Sequence, residues 1–291
     1  MKKHFEEDYN KLVKNNLLLT DKHSAMAQSI GGNFYHFGIF QRELLLQHGL
    51  KADATLVDVG CGSGRLANAL KDMPELNLIG VDVVQDLLDY AQEICQRDDW
   101  KFIKSTDFKI PLENNSVDMV TAFSVFTHLL HEETYVYLAE MRRILKPGGK
   151  IIFSFLDFSI PEHWVVFSSN LLQIHERVHL NQFIAPEAIE IWCQHLQLSI
   201  EGIFSGNQPH IQLSETVSDE EGNFYRGKVA LGQSVCVIEK PKDSNNRIYA
   251  TLPEGFDAQR YLELNPDIAV AKLDPAVHYL SHGQFENRPL K

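Results

Sequence analysis

No apolar run in these 291 residues approaches the ~20 needed to cross a bilayer, which argues against an integral membrane protein. The start, Met1-Lys2-Lys3-His4-Phe5-Glu6-Glu7-Asp8, turns acidic where a secretory leader would turn apolar, so a cytoplasmic chain is expected. Cysteine is scarce. The four present (Cys61, Cys95, Cys193 and Cys236) lie far apart and form no C-x-x-C pair. That spacing suits free thiols in a reducing compartment better than a disulfide framework or a zinc site, and no metal is expected. Positive charge is in deficit, 27 Lys and Arg against 39 Asp and Glu, for a formal charge of −12. No basic patch breaks the acidic balance, so a nucleic-acid partner is not expected.

What is present is an ordinary globular composition, with 44% hydrophobic and 23% charged residues. Residues 1–50 are expected to be helical in pieces. An apolar face runs through Phe40–His48 and stops at Gly49, after a glycine- and aromatic-rich stretch at Ser29–Gly38. From residue 55 the pattern alternates. Strands are expected at Thr55–Val59, Leu78–Val81, Trp100–Ile103, Met119–Phe123 and Lys150–Phe155, with helices at Arg65–Lys71, Gln85–Gln96 and Glu132–Leu145. Strands separated by helices of this length imply βαβ units and a mainly parallel sheet, an α/β fold. Lys146-Pro147-Gly148-Gly149 reads as a helix stop and turn. An insertion over 157–200 breaks the rhythm, and strands resume at Ile200–Phe204 and Ser234–Glu239. The expected organisation is an N-terminal helical segment (1–50), a main domain (51–240), a polar linker (241–255) and a small helical module (256–291).

The first strand runs into Asp58-Val59-Gly60-Cys61-Gly62-Ser63-Gly64-Arg65 and then a helix. Glycines at such a turn permit positive φ and let a ligand lie against bare backbone. The loop departs from the dinucleotide fingerprint G-x-G-x-x-G, because Arg65 stands at the sixth position. It also lacks the Gly-Lys-Ser/Thr ending of a phosphate-binding P-loop. Asp82 ends the second strand, where a carboxylate can accept both hydroxyls of a ribose. Asp107 follows the third strand. The fourth leads through Ser116-Val117-Asp118-Met119-Val120-Thr121-Ala122-Phe123-Ser124-Val125-Phe126-Thr127-His128-Leu129, and Leu145-Lys146-Pro147-Gly148-Gly149 comes later.

These segments, in this order and spacing over roughly residues 50–155, resemble the motifs of class I S-adenosylmethionine-dependent methyltransferases. The resemblance implies a Rossmann-like, seven-stranded, mostly parallel sheet with its last strand antiparallel and helices on both faces. It also implies S-adenosylmethionine as cofactor and S-adenosylhomocysteine as product. The cofactor-binding residues it implies are Asp58, Gly60, Cys61, Gly62, Gly64, Arg65, Asp82, Val83, Asp107, Phe108, Ser124 and Val125. Among these, Asp107 is expected near the adenine amino group, with Ser124 and Val125 beside the sulfonium.

Methyl transfer from a sulfonium is an in-line displacement, so the protein mainly aligns the acceptor and excludes water. A hydroxyl acceptor gains from a general base. His128, just after the fourth strand, is the leading candidate, and Asp157, just past the fifth, is a second. Phe34 and Tyr35 are candidates for a lid hinged on neighbouring glycines. His163 and His175 are candidates for the acceptor pocket. His175-Glu176-Arg177-Val178-His179 matches the zinc-protease pattern H-E-x-x-H, but five residues with three fixed and no further ligand carry no protease reading.

The last segment is expected to form two short helices opened by Asp257 and Asp274-Pro275, the second stopped by Gly283. Tyr261, Leu262, Val277, Tyr279 and Leu280 would form its apolar seam. It resembles a small helical module found beside bacterial glycosyltransferases of surface-glycan assembly. That resemblance implies a saccharide acceptor and glycan-assembly enzymes as partners. A small-metabolite acceptor is the alternative. An NAD-dependent oxidoreductase and a non-catalytic cofactor-binding scaffold are the readings from other classes.

Overall fold

The computed structural model describes residues 4–175, 180–242, 252–253, 255–284 and 286–290. Contacts divide the chain into two compact units, Met1–Ser244 and Asn245–Lys291.

The first unit is built on a seven-stranded sheet of β1 (Thr55–Val59), β2 (Asn77–Asp82), β3 (Lys101–Lys104), β4 (Val117–Ala122), β5 (Leu145–Phe155), β6 (Ser199–Phe204) and β11 (Ser234–Glu239). Its order is β3-β2-β1-β4-β5-β11-β6. The five first strands pair in parallel, while β11 runs antiparallel to both β5 and β6. Leu56 to Val59 of β1 are all buried, as a central strand covered on both faces requires. Strand order reverses between β1 and β4, and a ligand crevice is expected there at the strands' carboxyl ends.

The helices follow from local rules. In α5 (Gln85–Cys95), Leu87, Leu88, Ala91 and Cys95 form one buried stripe, and Gln96 ends the helix at φ 51°. Helix α6 (His131–Ile144) starts where Glu133 accepts the Leu130 N–H at 2.8 Å. Helix α4 (Arg65–Leu70) packs beneath α3 (Phe34–Gln47). A Cβ on Gly38 would lie 2.7 Å from the Arg65 carbonyl, so this approach needs glycine. Two further helices, α1 (His4–Leu19) and α2 (Lys22–Ser29), precede α3, and Asp21 caps α2 by accepting the Ser24 N–H. The insertion over 157–200 holds α7 (Trp164–Leu172) and α8 (Pro186–His195).

Lys146-Pro147-Gly148-Gly149 is not a turn before β5 but a bulge within it. Strand β4 advances from Val117 to Met119 while β5 advances from Leu145 to Lys150. Gly148 takes φ 80°, its N–H donates to the Lys240 carbonyl, and a Cβ on Gly149 would lie 2.7 Å from the Asp118 carbonyl. Four two-residue strands also lie between β6 and β11, in two antiparallel pairs: β7 (Ile211–Gln212) with β10 (Lys228–Val229), and β8 (Val217–Ser218) with β9 (Phe224–Tyr225). Pieces so short leave little periodicity to read.

Among its described residues the second unit holds three short α-helices rather than two, α9 (Ala258–Leu264), α10 (Pro266–Val270) and α11 (Pro275–His278), the last continued by a π-helical turn over Tyr279–Gly283. Pro266 starts a new helix because its ring suits a first helical turn and blocks continuation of α9. Asp257 and Asp274 cap α9 and α11 by accepting the Arg260 and Val277 N–H groups. Val277 is exposed, so the seam forms without it. Its centre is Tyr261, whose hydroxyl lies 3.0 Å from His278 Nδ1. A Cβ on Gly283 would fall 2.1 Å from that hydroxyl.

Candidate active site

The loop after β1 turns through Gly60, Gly62 and Gly64 at φ 65°, 53° and 83°. Gly60 and Cys61 both donate N–H bonds to the Val81 carbonyl, which ties the loop to the end of β2. A Cβ on Gly60 would lie 2.3 Å from Val125 Cγ2, and one on Gly62 would lie 2.6 Å from Ile30 Cγ2. Both glycines therefore serve close approach as well as backbone conformation. Asp82 Oδ2 accepts the Gly62 N–H at 2.8 Å, and Oδ1 accepts the Val84 N–H at 3.0 Å. One carboxylate thus braces two loops and keeps a lone pair on each oxygen for a ligand. Burial raises its pKa, while the backbone N–H groups pull it down.

Asp58, deeper in the sheet, accepts the Thr121 hydroxyl at 2.8 Å. Burial pushes its carboxyl up to about 7 against that hydrogen bond. The folded chain then holds this proton more tightly than the unfolded chain, whose carboxyl titrates at about 3.9. Asp58's contribution to stability accordingly falls as pH climbs from about 4 to about 7. Asp58→Asn keeps an acceptor for Thr121 and removes the charge. Its melting temperature relative to wild type is expected to rise between pH 4.5 and pH 8; an equal difference at both pH values would refute the assignment.

Over the loop lies a cavity of about 450 Å³, within the ~300–1,000 Å³ typical of small-molecule sites. Asp58, Gly60, Cys61, Gly62, Arg65, Asp82, Val83, Ser124, Val125 and His128 all line it. His128 sits in a short turn after β4, and its Nδ1 lies 2.7 Å from the Leu180 carbonyl. A carbonyl only accepts, so Nδ1 carries a proton and the ring is held in place through it. Ser124 takes φ 58°, unusual outside glycine, and its N–H donates to Ser154 Oγ.

Other predicted residues lie off the cavity wall. Gly64 is required by packing, since a Cβ there would sit 2.8 Å from Ala91 Cβ in α5. Asp107 is exposed, and Ser105 lines the cavity in its place. Phe108 stands behind the wall, edge-on to the lining rings of Phe5 and Tyr137 at 6.1 and 5.1 Å. Asp157 is buried and turns its Oδ1 to the Ser159 N–H, shaping its own turn. His163 is spent on backbone: Nδ1 accepts the Asp157 N–H, and Nε2 donates to the Gly232 carbonyl, each at 2.8 Å. Phe34 is wholly buried and Tyr35 lies outside, both packed on His23, so neither is a lid. His175 is exposed and away from the cavity, and the remainder of its H-E-x-x-H match lies outside the described residues.

The roof comes instead from α1, through Phe5, Tyr9 and Leu12, with Ile30 and Gly31 beside them. Tyr9 packs edge-on against His128 at 5.3 Å, and burial raises its phenol, keeping it neutral. Arg65 Nη2 donates to the Ile30 and Gly32 carbonyls and so fastens the segment after α2. Gln41, Tyr137 and Gln233 also line the cavity without any motif to announce them. A glycine cradle, a braced buried carboxylate and an apolar roof fit a zwitterionic nucleoside such as S-adenosylmethionine.

A methyltransferase-domain family profile matches residues 57–153, the stretch that builds this cradle. The chain carries a class I S-adenosylmethionine-dependent methyltransferase domain. An uncharacterised methyltransferase of Schizosaccharomyces pombe is 32% identical to the methyltransferase segment over 117 residues, 37% of this chain and 41% of the relative. A ubiquinone biosynthesis O-methyltransferase of Methylococcus capsulatus is 28% identical over 168 residues, 55% of this chain and 70% of the relative. The chain thus spans less than half of the first relative's length. In fold, the domain is similar to a methyltransferase solved with its Trm112 activator from Haloferax volcanii, with TM-score 0.54 and 18% identity. That match covers 83% of this chain and 99% of the other. The methyltransferase domain takes S-adenosylmethionine as cofactor and leaves S-adenosylhomocysteine. No helix among its described residues is long and apolar enough to cross a membrane.

Proposed function

We propose that the whole chain methylates a hydroxyl of a small, neutral acceptor, with a saccharide as the first choice. The observation that carries O-methylation is His128 on the cavity wall, its ring oriented by the Nδ1 hydrogen bond to the Leu180 carbonyl. When bound, S-adenosylmethionine supplies a methyl group on a sulfonium with a neutral thioether as leaving group. His128 Nε2 takes the proton of the attacking hydroxyl as the oxygen bonds to the methyl carbon. The aromatic roof of Phe5 and Tyr9 excludes water from the reacting groups. The Methylococcus relative supports the O-methyl reading; the saccharide preference, and glycan-assembly partners with it, rest on the resemblance of residues 256–291 alone.

The reading is tested by melting the protein with S-adenosylhomocysteine and with NAD, then screening radiolabelled methyl transfer to sugars, nucleotide sugars and cell-extract metabolites. A melting shift with S-adenosylhomocysteine and none with NAD is expected; the reverse would sink the donor assignment. With an acceptor in hand, His128→Ala should lower kcat by roughly 10²–10⁴ and flatten the acid limb of the rate profile. Affinity for S-adenosylhomocysteine should change less than threefold. An unchanged kcat would remove His128 as the base.

A further inference from the structure

The strand order decides which end of the donor goes where along the sheet's carboxyl edge. The glycine loop follows β1, Asp82 ends β2, and Ser105 stands just past β3, three neighbouring strands in that order. The Ser105 N–H donates to the Asp82 carbonyl at 2.9 Å, which joins the last two strand ends. With the methionine end over the β1 loop and the ribose on Asp82, the purine is left on the β3 side. Asp107, expected there, is exposed and off the cavity wall. Ser105 does reach the wall, but its Oγ lies 3.0 and 3.1 Å from the Asp107 and Lys109 carbonyls and spends its proton on them. Phe5 and Val83 are apolar, and a carboxylate at Asp82 only accepts.

Tyr137 of α6 closes this end of the cavity. It belongs to the buried stripe Thr134, Tyr137, Leu138 and Met141, whose spacing turns one helix face inward. Its ring meets Phe108 edge-on at 5.1 Å, beside the segment that follows β3. The residue is only 5% exposed and lines the donor cavity, and its hydroxyl has no hydrogen-bond partner among the described residues. Phenylalanine would fill the same stripe without burying a polar group, so an unpaired hydroxyl on a cavity wall points to a ligand atom that completes it. Burial raises the phenol, and the charge of Asp82 adds to the effect, so the group keeps its proton to give.

The structure assigns Tyr137 to the donor's purine, its O–H donating to a ring nitrogen of adenine. The purine's N1, N3 and N7 each offer a lone pair and no proton, so a neutral phenol suits them where a carboxylate would repel them. Tyr137 is a positioning residue. It sets the rotation of the base and, through the nucleoside, the line from the sulfonium to the acceptor. The assignment rests on the cofactor of the methyltransferase domain and is independent of the acceptor and of His128.

The test is titration calorimetry of wild type and of Tyr137→Phe with S-adenosylhomocysteine and with its 1-deaza, 3-deaza and 7-deaza purine analogues. Tyr137→Phe breaks no internal hydrogen bond, so its melting temperature without ligand should match that of wild type. Its affinity for S-adenosylhomocysteine should fall about tenfold, as for one lost hydrogen bond to a buried acceptor. One deaza analogue should bind wild type about tenfold more weakly than S-adenosylhomocysteine does, and should bind both proteins alike; a residue that only fills space would show no such coupling. The other two analogues should lose the full factor in Tyr137→Phe. Binding of S-adenosylhomocysteine to Tyr137→Phe within twofold of wild type would overturn the assignment. So would an equal loss on all three analogues, which would move the hydroxyl off the ring nitrogens. Wild type that bound none of the four would instead sink the donor reading itself.

Discussion

Asp82→Ala is expected to raise the dissociation constant of S-adenosylhomocysteine at least 100-fold. The carboxylate accepts the Gly62 and Val84 N–H groups, so its loss unpairs two loops at once and removes the remaining ligand contacts. Hydrogen bonds to a charged group contribute about 1.5–3 kcal/mol each, and about 2.7 kcal/mol already corresponds to 100-fold. Asp82→Asn is expected to fare little better, because an amide turns one donor toward a backbone donor. Titration calorimetry at pH 7.5 decides the matter. Wild-type affinity in Asp82→Ala would remove Asp82 from the donor site.

Gly60→Ala is expected to abolish measurable cofactor binding and to lower the melting temperature. The new methyl would sit 2.3 Å from Val125 Cγ2, and φ 65° adds strain that glycine avoids. Overpacking costs about 1–3 kcal/mol, and a left-handed conformation about 1–2 kcal/mol more. A β-branched valine has little rotamer freedom with which to retreat. The cause is separable: adding Val125→Ala to Gly60→Ala should recover at least half of the lost melting temperature, since it removes the clash and leaves the φ strain. No recovery in the double variant would mean that the glycine serves conformation alone.

Both expectations concern features the sequence made legible. Glycines after a strand, and an acidic residue at the end of the next, are local requirements of chain geometry, and no other residue type meets them as well. Asp157 and His163 show where that reasoning stops. Each lies past β5 at the ligand-bearing edge, yet Asp157 closes its own turn and His163 joins two backbone segments. Buried backbone groups must find partners, and these side chains meet that demand rather than face the cavity. Phe34 and Tyr35 looked hinged by their neighbouring glycines, but Phe34 opens a packed helix and is wholly buried. Conversely, Phe5, Tyr9 and Leu12 read as the apolar face of any amphipathic helix, and nothing in their spacing says that the face would cover a ligand.

By itself, then, the sequence determined the sheet, the strand-end loop and the methyl donor. Strand and helix periods are set by neighbouring residues, and a positive φ at a close approach is met by one residue type. Much of the rest of the cavity wall was decided only by tertiary structure. Gln41 comes from a helix before the sheet and Gln233 from the turn before its last strand, and each is an unremarkable glutamine along the chain. Folding brings both to the wall of one cavity and fixes Gln233 through two serines. Whether a buried polar group is satisfied depends on distant segments, so that part of the site arises from packing rather than from any local pattern.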